Sequence, residues 1–90
     1  MAKTNFKIKL NGSGQWMINI IRQKDDDDWE IVSPNPKASI DLPKDSSFYV
    51  YVNVAAVAGT TFELFQGDSS ILSGKTDKKN AFANYIIITT

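Results

Sequence analysis

The sequence predicts an all-β protein, a single small antiparallel β-sandwich of about eight strands. Apolar and polar residues alternate with a period of two in nearly every run that could be regular structure, most clearly over 3–10 and 47–57. Successive side chains of a strand point to opposite faces, so this alternation is typical of sheets with one buried face. Turn-forming residues separate the runs at intervals of roughly 8–12 residues, as in small sandwiches and barrels. A small closed barrel is the alternative architecture.

Four strands are predicted in the first half of the chain. Asn11-Gly12 favours a tight turn after the first strand, because this dipeptide suits the positive φ angles of hairpin turns. The second strand is apolar on both faces, which places it at the centre of a sheet or at an interface. Pro34 and Pro36 end the third strand, because proline cannot donate a ladder hydrogen bond. The predicted ranges are 4–10, 15–23, 29–32 and 38–42.

The second half contains the longest predicted strand, which places four apolar side chains on one face and two tyrosines on the other. A glycine-led turn at 67–70 precedes a short stub of strand, and the lysine-rich segment 74–80 is expected to be a loop. The predicted ranges are 47–57, 60–66, 71–73 and 81–90. The core-facing residues of the long strand are predicted to be Phe48, Val50, Val52 and Val54.

Length and composition set limits on the class of protein. Ninety residues are enough for one domain, 1–90, with a core of modest size. The net charge is zero, which argues against general binding to nucleic acid or to an anionic membrane. No apolar run approaches the roughly 20 residues of a membrane-spanning helix, and the first residues do not form a secretory leader. Localisation therefore stays open between an intracellular protein and a mature secreted one.

The sequence contains neither histidine nor cysteine. This composition excludes disulfides, thiolate nucleophiles, imidazole acid–base chemistry and zinc sites of the cysteine/histidine type. It also contains only two glutamates, Glu30 and Glu63, both within predicted strands. We therefore expect a non-enzymatic protein.

An aspartate run in the second loop is the most conspicuous local feature. Ca²⁺ binds six to eight oxygens from carboxylates and backbone carbonyls, so a loop-end site is one interpretation, with two or three of the run's carboxylates as ligands. The alternative is a solvated hairpin tip that protects a sheet edge from aggregation. The candidate metal ligands are Asp25, Asp26, Asp27, Asp28, Asp45 and Asp68.

The order of the loops predicts an uneven distribution of charge. If each strand crosses the whole sandwich, the second, fourth and sixth loops emerge at one end and collect the aspartates. The third and seventh loops then emerge at the other end, where Asp77 is the one acid among the lysines Lys37, Lys75, Lys78 and Lys79. A chain of zero net charge would then carry a charge dipole along its long axis.

Aromatic residues on strands form a second candidate site. A flat ring can pack on the apolar face of a pyranose while neighbouring amides and carboxylates bind its hydroxyls. Tyr49 and Tyr51 are predicted to point outward about 7 Å apart on the long strand, and Trp29 to line the rim of the acidic end. The alternative is that the tyrosines pair with neighbouring strands, and Trp16 is assigned to the core.

A third candidate surface follows from the last strand, which is uncharged and apolar on both faces. Such a strand needs burial on both sides, and in so small a domain this favours a subunit interface. Several other strands carry apolar residues on their nominal outer faces. The predicted interface residues are Met17, Ile21, Phe65, Tyr85 and Ile87, and a homo-oligomer is expected.

The leading functional prediction is a non-enzymatic binding or adhesion module whose acidic loop end contacts a glycan or a protein, with Ca²⁺ as a possible cofactor. The first alternative is a self-assembling structural protein that uses the apolar outer face of strands two and eight. The second alternative is a small inhibitor whose acidic end binds a basic protein partner, since complementary charge accelerates association.

Overall fold

The computed structural model describes residues 3–22 and 28–90 and confirms the predicted all-β sandwich. Its eight strands form two sheets of four, and the alternative of a closed barrel is not observed among the described residues. The described residues contain no helix that is long and apolar enough to span a bilayer. The strands are β1 (Thr4–Leu10), β2 (Gly14–Arg22), β3 (Asp28–Val32), β4 (Lys37–Ile40), β5 (Ser47–Ala56), β6 (Thr61–Gln66), β7 (Ser69–Lys75) and β8 (Ala81–Thr89).

The first sheet has the strand order β4-β1-β6-β7, and the second has the order β3-β2-β5-β8. Every neighbouring pair is antiparallel. The β2–β3 and β6–β7 connections join neighbours within a sheet, whereas the other connections cross from one sheet to the other. β2 lies between β3 and β5, which agrees with the central position that its two apolar faces predict.

The core lies between the two sheets and is built from the alternate residues that the sequence assigns to the inner faces. Burying a large apolar side chain stabilises the fold by about 1.5–3 kcal/mol, so this layer is the main source of stability. The fully buried side chains with the largest volumes are Phe6, Ile18, Ile20, Phe48, Val50, Val52 and Leu64.

β7 is longer than the predicted stub at 71–73. It is seven residues long and forms six residue pairs with β6, with a register shift between Leu64 and Phe65. β7 is an edge strand rich in serine and glycine, so the period-two alternation that identifies a half-buried strand is absent from its sequence. The turn before it is correspondingly tighter and consists of Gly67, with φ of 61°, and Asp68.

β4 is shorter than predicted, and this changes one charge assignment. It pairs with only the first half of β1, which places Lys37 opposite Lys7 near the middle of the sheet. The full-crossing argument expects Lys37 at the same end as Lys75, Lys78 and Lys79. The observed register does not place it there. Leu42, within the predicted range of this strand, lies beyond the end of β4 but is buried.

Candidate functional site

The outer faces of the two sheets differ in chemical character. On the first sheet the outward positions of β1, β4 and β6 are polar or charged, with Phe65 as the exception. On the second sheet the outward positions of β2, β5 and β8 carry no charge, and acids occur only on the edge strand β3. We call the uncharged surface the tyrosine face. Its central residues are Met17, Asn19, Ile21, Tyr49, Tyr51, Asn53, Ala83, Tyr85 and Ile87.

Exposed apolar side chains are concentrated on the second sheet. Six large apolar residues are exposed among the described residues, and five of these lie on the outer face of that sheet. The sixth, Val57, lies in the loop between β5 and β6. Single exposed apolar residues are ordinary on a protein surface, whereas a contiguous patch marks a contact site. The five are Met17 (44% exposed), Val32 (38%), Tyr51 (37%), Tyr85 (49%) and Ile87 (53%).

Three tyrosine rings form a cluster in the middle of this face. The ring centroid of Tyr85 is 5.4 Å from that of Tyr51 and 5.8 Å from that of Tyr49. Tyr49 and Tyr51 point to the same side of β5, with centroids 5.9 Å apart. The rings meet at tilted and edge-to-face angles, which are favourable geometries for aromatic pairs. The cluster therefore restrains its own side chains before any partner is bound.

A row of large side chains and a groove lie on opposite sides of this cluster. The row, which we call the ridge, consists of Ile21 and Tyr49, which are half-buried, and Ile87, which is exposed. The groove is open and has a volume of about 380 Å³. The groove is lined by Gln15, Trp16, Met17, Val32, Ser33, Asn53, Val54, Ala55, Ala81, Phe82 and Ala83.

The free edge of the second sheet adjoins the tyrosine face. Hydrogen bonds flank the pairing of β8 with β5 at both ends, because Ala56 N donates to Asn80 O and Thr90 N donates to Ser46 O. The even-numbered residues of β8 therefore form the hydrogen bonds to β5. The odd-numbered residues of β8 therefore point their N–H and C=O groups away from β5. One of these groups is satisfied locally, because Tyr85 N donates to Asn84 Oδ1 at 2.8 Å.

The structure unites two residue sets that the sequence treats separately. Tyr49 and Tyr51, predicted to bind a ligand, lie on the same face as the predicted interface residues Met17, Ile21, Tyr85 and Ile87. Their common position follows from the register of β2, β5 and β8, which one strand's alternation does not specify.

Two predicted site residues lie elsewhere. The half-buried Trp29 faces inward and packs edge-to-face on Phe48, with ring centroids 5.9 Å apart. Phe65 lies on the outer face of the first sheet, where Lys7 Nζ is 5.2 Å from its ring centroid. Trp16 packs against the core, and its Nε1 donates to Asn35 O. None of these three rings joins the tyrosine cluster.

Part of the predicted acidic end lies within the described residues. The ends of β2, β4 and β6 and the beginnings of β3, β5 and β7 lie at one end of the sandwich, so Asp28, Asp45 and Asp68 share that end. Asp25, Asp26 and Asp27 lie outside the described residues. Within 3–22 and 28–90, no three acidic residues are grouped closely enough to hold a metal ion. Calcium binding and contact with a basic partner stay predictions.

Comparison with known proteins identifies no function for this chain, so a functional assignment depends on the geometry. No protein-family model, curated protein or solved structure matches this chain. The tyrosine face is therefore the candidate functional site on its physical properties alone.

Sequence reasoning misses the groove. Three of its lining residues, Ala55, Ala81 and Ala83, are small and carry no chemistry of their own. One usable signal is present in the last strand, where Ala81 and Ala83 precede Tyr85 and Ile87 at the same alternation. This order of small residues followed by large ones indicates a surface that changes height along the strand.

Proposed function

We propose that this protein is a non-enzymatic assembly module whose tyrosine face binds a second copy of the chain. The observation that carries the proposal is that five of the six exposed large apolar side chains of the described residues lie on this one sheet face. The opposite outer face bears lysines and a glutamate among its outward residues. Such an arrangement favours one-sided contact, because the polar face is easily solvated and the apolar face is not.

The composition of the face supports a protein partner. Interface centres are enriched in tyrosine and methionine and depleted of lysine and acidic residues, and charge is retained at the rim. Tyr51 and Tyr85 occupy the centre of this face, Met17 lies in the adjoining groove, and Asp28 and Glu30 lie on the β3 margin. Tyrosine anchors at the centre of an interface commonly dominate its binding energy.

The size of the face predicts a reversible complex. Four strands about 4.8 Å apart, of up to nine or ten residues, present roughly 500 Å² of flat area. Stable specific interfaces bury about 800 Å² per partner, so two copies joined here form an interface below that size, in the class of weak, transient complexes. The fraction of dimer should accordingly depend on protein concentration.

Sedimentation equilibrium over a range of concentrations tests this function. The wild-type chain should exceed its monomer mass of 10.0 kDa as concentration rises. Ile87→Lys, which places a charge at the exposed residue of the ridge, should remain monomeric at all these concentrations. The matched control is Ser73→Lys, an exposed position on the outer face of the first sheet, and it should associate as the wild type does. A wild-type protein that stays monomeric throughout contradicts the proposal.

A glycan is the second candidate partner of the same face. It is favoured by two amide side chains that can bind hydroxyls, Asn19, which pairs with Tyr51, and Asn53, the next outward residue after Tyr51 on β5. It ranks second because the three rings pack on one another, which reduces the ring surface free to stack on a sugar. Retention on a panel of immobilised polysaccharides, lost in Tyr85→Ala, would support this candidate. The glycan candidate also requires that the wild-type protein be monomeric.

A further inference from the structure

Resting on the proposed function, we propose that the two copies stack face to face about a two-fold axis that runs across the strands. In this arrangement the ridge of each copy enters the groove of the other. The ridge consists of Ile21, Tyr49 and Ile87, and the lining of the groove includes Ala55, Ala81 and Ala83. A two-fold interface uses the same patch on both copies, so the patch must be complementary to itself.

The register of the sheet determines which rows meet. Tyr85 is the fifth of the nine residues of β8, and Tyr51 lies opposite it on β5. A two-fold axis along this central row exchanges positions two residues above it with positions two residues below it. Ile87 of one copy then lies over Ala83 of the other, which is a large side chain over a small one.

The same operation pairs the other rows. Tyr49 lies over Asn53 of the second copy. Ile21 lies over Met17, the one large and exposed side chain of the opposing row, so the fit of large over small applies to the β5 and β8 contacts. The central tyrosines meet their own counterparts, forming a cluster of six rings across the interface. The other face-to-face two-fold, with its axis along the strands, places ridge on ridge and leaves both grooves empty. Shape therefore selects the antiparallel stack, because voids forfeit contact energy.

The distribution of charge along the strands favours the same direction. At the groove end Lys75, Lys78 and Lys79 outnumber Asp77. Among the described residues of the ridge end three acids outnumber two bases, namely Asp28, Asp45 and Asp68 against Arg22 and Lys44. The antiparallel stack places the acidic loops of one copy near the lysines of the other. Attraction between exposed charges is screened by salt, so this contribution should fall as ionic strength rises.

One contact in this arrangement is unfavourable. Glu30 lies in the central row, opposite Asn19 on β2, and the two-fold axis places it near Glu30 of the second copy at the rim. Like charges that approach each other across an interface weaken association. Glu30→Gln should therefore tighten the dimer. The face-to-face stack with its axis along the strands does not predict this effect, and neither does pairing of two β8 edges, because both arrangements separate the two Glu30 carboxylates.

A charge-exchange experiment tests the pairing directly. Tyr49→Lys and Asn53→Asp are prepared as separate proteins, and their dissociation constants are measured alone and in an equimolar mixture by sedimentation. In the mixture each heterodimer gains one lysine–aspartate contact and keeps one native contact. We expect the mixture to associate at least tenfold more tightly than Tyr49→Lys alone, and we expect 0.5 M NaCl to remove most of this gain. Far-ultraviolet circular dichroism confirms that each variant is folded.

The outcomes separate this arrangement from the broader function. If the wild type associates but the mixture gains nothing, the antiparallel face-to-face stack is wrong, although self-association stands. Pairing of two β8 edges would give that result, because it separates position 49 of one copy from position 53 of the other by several strand spacings. If the wild type does not associate, the proposed function itself fails.

Discussion

Tyr51 and Tyr85 lie directly opposite each other on β5 and β8, and their ring centroids are 5.4 Å apart at an interplanar angle of 36°. The pair joins the longest strand of the second sheet to its uncharged edge strand. Both rings are exposed by more than a third, so the contact provides local order without forming part of the core. The pair is thus the fixed centre of the tyrosine face.

A double-mutant cycle measures how strongly these two rings interact within one chain. Aromatic pairs contribute about 0.5–1.5 kcal/mol beyond their buried area. We expect Tyr51→Leu and Tyr85→Leu to be non-additive in urea unfolding by an amount in that range. The cycle is measured at a concentration where the protein is monomeric, so that dimer contacts do not contribute. Additive free energies of unfolding would show that the rings are merely adjacent.

Gly74 permits the close packing of two phenylalanine rings between the sheets. A Cβ at this position would lie 2.6 Å from Phe82 Cε2 and 3.0 Å from Phe62 Cε1, whose rings meet edge-to-face at 4.7 Å. Gly74→Ala should therefore lower the free energy of unfolding by about 1–3 kcal/mol through overpacking. The neighbouring exposed position provides the control, because Ser73→Ala should change stability by less than about 0.5 kcal/mol. Equal stability of the two variants would contradict the packing argument.

Thr76 joins two loops at one end of the sandwich. Its hydroxyl donates to Val57 O at 2.7 Å and accepts from Thr60 N at 3.0 Å, and the residue is buried. Thr76→Val keeps the shape but removes both bonds, which should cost about 1–3 kcal/mol in urea unfolding. Thr76→Ser retains the hydroxyl and should lose markedly less stability. If valine and serine destabilise equally, the hydroxyl is not the stabilising group.

Asn84 protects the free edge of β8. Its side chain occupies the core-side face of an edge strand, remains exposed, and accepts the outward N–H of Tyr85. Polar residues on the inner side of an edge strand hinder pairing with other chains. Asn84→Val should accelerate aggregation at 37 °C, followed by thioflavin fluorescence, and Asn84→Asp should not. Identical aggregation rates for wild type and the valine variant would argue that the edge is protected by other means.

The fold is predictable from the sequence because alternation identifies each half-buried strand. In β5 the buried residues Phe48 and Val50 alternate with Tyr49 and Tyr51, as expected for a strand with one face in the core. β7 departs from the prediction because serine and glycine on an edge strand give no alternation. Local polarity thus predicts strands that bury one face and fails for strands defined mainly by backbone pairing.

The candidate site is less predictable because it depends on the register between strands. The sequence indicates that Tyr49 and Tyr85 point outward, but their contact at 5.8 Å follows from the pairing of β5 with β8. Trp29 illustrates the opposite case. Its place in the sequence beside Asp28 suggests an exposed rim, whereas its position on β3 turns the ring inward onto Phe48.

Amide and methyl chemical shifts recorded during dilution test the central claim most directly, because they locate self-association on the molecule. We expect concentration-dependent shifts at the outward residues of β2, β5 and β8, with the largest at Tyr85, Ile87 and Ala83. The outward residues of the first sheet should not shift. Shifts that are independent of concentration, or that are confined to the first sheet, would contradict the assignment of the tyrosine face as the surface that binds a second copy.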